Sequence, residues 1–226
     1  MLRSIIKTII QYTYRPWVLH KTSRDCYYTY DGLRLLVKKG VFHPGYFFST
    51  RLLLRELKKH NLENMNVLEP GAGSGLISAV AASRGARVTA TDINPVAVEG
   101  LRINLAPFGK RVTILLSDLF DTIPPQAFDL IVVNPPYYAR NPQTDAEKAW
   151  FCGSEFQYFH KFFSQVGRYM QPQTRVWLSM SEDCDLNSIG RIAGAYRWQL
   201  RELTRTTILA ETTYIYLLES TERTAR

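Results

Sequence analysis

The chain is poor in the residues that build covalent or metal-held frameworks. Its 226 residues include three cysteines, Cys26, Cys152 and Cys184, and none forms a C-x-x-C pair. That excludes a disulfide scaffold and points to reduced thiols, as in a cytoplasmic protein. The three cysteines and four histidines show no zinc-ligand spacing, so no metal site is expected. No uninterrupted apolar run approaches the length of a bilayer span, which argues against stable membrane association. Internal repeats, low-complexity runs and linker-like stretches are absent. The N-terminal MLRSIIKTIIQYTY is basic and partly apolar, but Lys7 and Thr8 interrupt it and no small-residue cleavage site follows. It reads as the first element of the fold or as an amphipathic arm.

Acidic residues are scarce at the start of the chain. Residues 1–60 carry 12 Lys and Arg against 3 Asp and Glu, whereas residues 61–226 carry 16 against 17. The formal charge of +8 is therefore +9 in the first quarter and −1 in the rest. A positive patch of this kind attracts RNA, DNA, a ribosome or another anionic partner. It is equally compatible with basic side chains snorkelling over apolar ground. At 46% hydrophobic and 21% charged, the composition is otherwise that of a globular domain.

The first 45 residues read as irregular and aromatic-rich, with DGLRLLVKKG as a short strand or hairpin arm. A helix is expected from about Thr50 to His60, capped by Ser49 or Thr50. From Asn66 onward strands and helices alternate. NVLEP, RVTATD, RVTILLSDLF, FDLIVVNPPYY and RVWLSMS read as strands. LISAVAASRG, ended by Gly85, and SIGRIAGAY read as helices. A third helix starts with Asn94 as cap and Pro95 at its first position. SEFQYFHKFFSQVGRYM is a fourth, with Ser154 and Gln157 at capping-box spacing and an apolar face of aromatics at 156, 159, 162 and 163. Two late strands are expected around 198–207 and 211–218. This alternation predicts an α/β fold with a parallel sheet covered on both faces. The simplest division is a basic extension with the first helix over residues 1–60, on the substrate side, and the main domain over 61–226.

Two stretches carry chemistry. EPGAGSG puts Gly71, Gly73 and Gly75 between a strand and a helix, where glycine permits left-handed angles and close approach of a ligand. The spacing is G-x-G-x-G, not the G-x-G-x-x-G of a dinucleotide site. Glu69 beside it disfavours a pyrophosphate and suits a cationic ligand. Asp92, with Ile93 after it, ends a strand where its carboxylate can accept ribose hydroxyls. Asp118 is placed to accept from an adenine amino group, and Leu119 to pack on the base. Each acid also has a plain structural reading, as helix cap, turn residue or ion-pair partner.

The second stretch is VVNPPYY, residues 132–138. Together LEPGAGSG, TATDINPVAV, SDLF and FDLIVVNPPYY resemble the class I S-adenosylmethionine-dependent methyltransferases. NPPY resembles the amino-methylating branch, which includes the HemK-like release-factor glutamine enzymes and the adenine-N6 and guanine-N2 enzymes. The resemblance covers about residues 64–218 and implies a Rossmann-like, seven-stranded, mostly parallel sheet with helices on both faces. It implies S-adenosylmethionine as cofactor, with Glu69 near its methionine end, Asp92 at the ribose and Asp118 at the adenine. Asn134, Pro135, Pro136 and Tyr137 match the four motif residues. The tract GVFHPGYFFST, which contains His43 and Phe47, resembles the substrate-side segment of HemK-like proteins. Unlike those proteins, this chain has no convincingly helical N-terminal domain before the core.

The chemistry that follows is methyl transfer to nitrogen. An amide or exocyclic amino nitrogen attacks poorly because its lone pair is delocalised. The Asn134 side-chain oxygen and the Pro135 carbonyl can each accept one N–H of the target, favouring positive charge at nitrogen and aiming the lone pair. Tyr137 can stack on a planar group, and Tyr138, Trp150 and Phe151 extend an aromatic wall. Residues 139–153 read as an ordered loop or lid. No His/Asp or Cys/His arrangement accompanies the motif, and Cys152 reads as a packed thiol. The expected substrate is a macromolecule: a protein glutamine first, or an adenine or guanine amino group in RNA or DNA. A non-catalytic binding protein on the same fold is the alternative from another class.

Overall fold

The computed structural model describes residues 24–208 and 211–222, so the N-terminal arm expected from the sequence lies outside the described residues. The described chain starts with a hairpin, β1 (Cys26–Tyr30) and β2 (Leu33–Val37), paired in antiparallel register with Tyr28 opposite Leu35. Asp31 and Gly32 close it at φ 52° and 78°, the left-handed pair that a two-residue hairpin turn requires. This corrects the expectation of an irregular start: Tyr and Thr suit a pleated, half-buried surface, and CYYTY is a strand. Asn104 docks the hairpin. Its Oδ1 accepts the Leu36 N–H, and its Nδ2 donates to the carbonyls of Leu36 and Ser74.

Helix α1 spans Phe48–Leu57 and buries Leu52, Leu53, Leu54 and Leu57. Its cap position is the extended Phe47, with no side-chain cap bond. Ser49 and Thr50 therefore lie inside the first turn and do not cap it. The repeating part follows as β3 (Asn66–Pro70), α2 (Leu76–Ser83), β4 (Arg87–Asp92), α3 (Pro95–Leu105), β5 (Val112–Leu116), β6 (Leu130–Val133), α4 (Gln157–Gln165), β7 (Arg175–Ser181), α5 (Leu186–Ala195), β8 (Trp198–Ile208) and β9 (Glu211–Ser220). Asn94 caps α3 as expected, its Oδ1 accepting the Val96 N–H at 2.9 Å. The capping box of α4 does not form. Phe156 holds the cap position at φ 57°, and Gln157 Oε1 accepts the Glu155 N–H instead. The strands read as RVTILLSDLF and FDLIVVNPPYY stop at Leu116 and Val133, and the polar ends turn out of the sheet.

The seven strands lie in the order β5-β4-β3-β6-β7-β9-β8. The pairings from β5 to β7 are parallel, and β9 is antiparallel to both of its neighbours. Period-two alternation divides the core between the faces. Val67, Val132 and Trp177 pack with α1, α2 and α3, whereas Leu68, Ile131, Val133 and Leu178 pack with the Phe159, Phe162 and Phe163 face of α4. The chain leaves β3 toward β4 on one side and returns to pair β6 on the other. The carboxyl ends of β3 and β6 therefore flank the switch point, where open α/β sheets bind ligands.

Candidate functional site

A cavity of about 530 Å³ opens at that switch point. Its walls come from the turn after β3 with the start of α2, the ends of β4 and β5, the NPPY segment after β6, the loops around residues 40–50 and 139–153, and the first turns of α4.

The turn begins with Glu69 inside β3, 5% exposed. Its Oε2 accepts the Ser78 N–H at 2.8 Å and the Ser78 hydroxyl. Burial nevertheless pushes the carboxyl up to about 8; the Ser78 bonds oppose that rise and nearby Asp92 adds to it. Gly71 has φ +71°, and a Cβ built there would meet no atom within 4 Å, so it faces open space. Gly75 does a different job. It is the left-handed residue before α2, and a Cβ there would lie 2.6 Å from Leu101 Cδ2. It permits helix packing and does not line the cavity.

Asp92 is buried at the end of β4, and burial raises its carboxyl above the usual range. Oδ1 accepts the Asn94 N–H at 2.9 Å, and Oδ2 accepts the Gly73 N–H at 2.8 Å. With the Ile93 N–H as a third donor, the carboxylate still keeps an open acceptor site. Asp118 lies beyond β5 with Oδ2 2.6 Å from Lys161 Nζ, which also reaches Asp121 at 2.6 Å. Leu119 adopts φ 54°, the left-handed region that a branched side chain seldom visits, and is 5% exposed.

Asn134 follows β6 on the cavity wall, where its Oδ1 accepts from the Ser179 hydroxyl at 2.6 Å. Pro135, Pro136, Tyr137 and Tyr138 continue the wall. The 139–153 loop is fastened to this segment by its backbone: Tyr138 N–H donates to Trp150 O at 3.1 Å and Cys152 N–H to Tyr138 O at 3.0 Å. Phe42, Phe47 and Trp150 close the far side as three touching rings, with centroids 4.5, 5.3 and 4.9 Å apart. Burial pushes the Cys152 thiol up to about 11, which leaves little thiolate near neutral pH.

Among the expected site residues, Glu69, Gly71, Gly73, Asp92, Ile93, Asp118 and Leu119 line one part of the cavity. Asn134 to Tyr138, Phe47 and Trp150 line the rest. Gly75 and His43 are outside the lining. His43 is 4% exposed, stacks on Tyr46 at 3.9 Å, and accepts the Gly45 N–H on Nδ1. Burial lowers its pKa, so it is a neutral packing residue. Sequence reasoning missed Ser78, Ser179, Lys161 and Tyr158. Tyr158 lines the cavity near Asp118 and Asp92, and burial raises its phenol pKa. The two serines carried a signal, since each falls in the apolar middle of its element, between residues that are buried, and a buried hydroxyl needs a partner.

The methyltransferase small domain family matches residues 32–191, and the chain belongs to this family. It is 35% identical over 119 residues to a Methanocaldococcus jannaschii protein provisionally named a protein N5-glutamine methyltransferase, covering 52% of this chain and 56% of that one. It is 36% identical over 114 residues to ribosomal RNA small subunit methyltransferase C of Salmonella choleraesuis, covering 49% and 32% respectively. The chain thus spans about half, or less, of these relatives' lengths. The fold is shared with the 16S rRNA N2 G1207 methyltransferase RsmC of T. thermophilus, solved with AdoMet and guanosine. That likeness has a TM-score of 0.61 at 19% identity and covers 88% of this chain and 50% of that one.

S-adenosylmethionine is the cofactor of this fold and family, and the cavity meets its demands. Glu69 supplies a buried carboxyl that a cation would stabilise in its charged form, a glycine backbone faces open space at Gly71, and Asp92 keeps an acceptor site.

Proposed function

We propose that this protein is an S-adenosylmethionine-dependent N-methyltransferase acting on a planar NH2 group. The observation that carries the reading is that Asn134–Tyr137 and the acids Glu69, Asp92 and Asp118 line one cavity. S-adenosylmethionine supplies a methyl carbon whose leaving group is a neutral thioether.

The protein's own residues do the rest. With the cofactor bound, Glu69 would face its positive end, Asp92 would accept from the ribose, and Asp118 with Leu119 would hold the base. Asn134 Oδ1 and the Pro135 carbonyl accept the two N–H groups of the target. Both acceptors are fixed before reaction, and they favour the positive charge that grows on nitrogen. Tyr137 covers a flat face of the target. The methylated nitrogen is acidic enough to lose its proton to water, so no histidine base is assigned.

The first substrate reading is a protein glutamine, supported by the M. jannaschii relative. The second is a nucleobase amino group, favoured by the Phe42–Phe47–Trp150 rings, which suit a flat heterocycle, and by the basic first quarter of the chain. Incubation with S-adenosylmethionine carrying a tritiated methyl group and a cell extract tests both. Label lost to protease supports the glutamine reading, and label lost to RNase or DNase supports the nucleobase. No transfer from a protein that binds the cofactor would overturn the enzymatic reading.

A further inference from the structure

The register of β6 and β7 sets Val133 opposite Leu178, and just past the strand end Asn134 comes beside Ser179. Ser179 is fully buried and sits between the wholly buried Leu178 and Met180, opposite Ile215 of β9. Nothing in that packing asks for a hydroxyl, and an alanine would fill the place. The hydroxyl's one short contact is Asn134 Oδ1 at 2.6 Å, against 3.5 Å to the Val133 carbonyl. Hydroxyl-to-oxygen bonds centre near about 2.7–2.8 Å, and amide N–H bonds to oxygen near about 2.9–3.0 Å. The contact therefore has the length of a serine hydroxyl donating to an amide oxygen. It is short for an amide NH2 donating to a serine.

The distinction matters because an asparagine amide has two orientations that exchange its acceptor for its donor. With Oδ1 toward Ser179, one acceptor site of that oxygen is filled and the other remains for a target N–H. In the flipped orientation, the Asn134 NH2 would replace that acceptor and oppose the target's own NH2. We propose that Ser179 is a positioning residue that locks Asn134 in its acceptor orientation. This rests on the role given to Asn134 above.

Ser179→Ala tests it, because the change removes one oxygen from a packed strand and leaves the fold intact. The expected result is methyl transfer into extract slowed about ten-fold, the order for one lost hydrogen bond. The loss should fall on kcat and spare KM, with cofactor affinity unchanged by calorimetry. Ser179→Thr keeps the hydroxyl and should recover most of the rate. A second readout needs no substrate: the side-chain amide 15N–1H signals of Asn134, assigned by their loss in Asn134→Ala. They should move in Ser179→Ala and stay in Ser179→Thr. If threonine's extra methyl unfolds the strand, the Ser179→Ala rate and amide signals decide alone. Wild-type transfer and unmoved signals in Ser179→Ala, beside an inactive Asn134→Ala, would overturn the proposal and leave the role of Asn134 standing. Wild-type turnover in Asn134→Ala would overturn that role itself.

Discussion

Ser78 meets the Glu69 carboxylate twice, through its backbone N–H and through its hydroxyl, and the same carboxylate oxygen accepts both. Ser78 lies in the first turn of α2, so the helix start that follows the glycine turn also orients the acid. Two donors hold the group in place, yet among the described residues it is short of a full positive partner.

That shortage gives a pH dependence. The Glu69 pKa stands near 8 in the folded protein against 4.5 for an ordinary glutamate. The folded carboxyl keeps a proton that the unfolded chain has released between those values. Its contribution to stability is full below pH 4.5 and is lost as pH rises toward 8, at a slope of up to about 1.4 kcal/mol per pH unit. A cationic cofactor pulls the pKa down, so binding near pH 7 should release a proton, and affinity should climb with pH and level off above about 8. Calorimetry in two buffers of different ionisation heat reads the proton directly. Equal heats at pH 7 would exclude the coupling, and Glu69→Gln should abolish it.

In the proposed reaction, Asn134→Ala removes a contact that strengthens as the nitrogen becomes positive. Turnover should fall by about 3 kcal/mol in activation free energy, more than a hundred-fold. Cofactor affinity should change little, because Glu69, Asp92 and Asp118 are untouched. A loss of cofactor binding equal to the loss of rate would show that Asn134 shapes the cofactor site.

Gly71→Ala and Gly75→Ala separate binding from packing. Both residues sit at positive φ, so each substitution costs about 1–2 kcal/mol in the backbone. At Gly71 the new methyl enters open space, and cofactor affinity should fall most. At Gly75 it meets Leu101 at 2.6 Å, and the larger loss should be in urea-unfolding stability.

Trp150→Ala breaks the ring cluster with Phe42 and Phe47. Capture of the macromolecular substrate should weaken by about 1–3 kcal/mol if the target is a base that stacks there, with cofactor affinity retained. A steady-state KM that does not move would place the substrate elsewhere.

The parallel sheet was legible from alternating apolar runs and glycine stops, and the switch-point residues from their places at strand ends. Glu69, Asp92 and Asn134 could be assigned to one edge because a strand's end is readable in one dimension. Partnerships between distant segments could not. Ser179 reaches Asn134 across 45 positions and Lys161 reaches Asp118 across 43, and only strand register or helix docking brings them together. His43 misled for the opposite reason. A histidine in an aromatic loop near a motif resembles a cleft residue, but packing between Tyr46 and Tyr28 withdrew it. The α4 cap failed because Phe156 took a left-handed turn that no local pattern announces.

The last strand, β9, lies between β7 and β8, although β8 precedes it in the chain. During synthesis, β8 can reach the sheet only after residues 211–220 have emerged and slid into place beside β7. Until then β7 presents a bare edge of unpaired backbone groups, open to a neighbouring nascent chain. The strand that carries Ser179 is thus sealed only once β9 is in place.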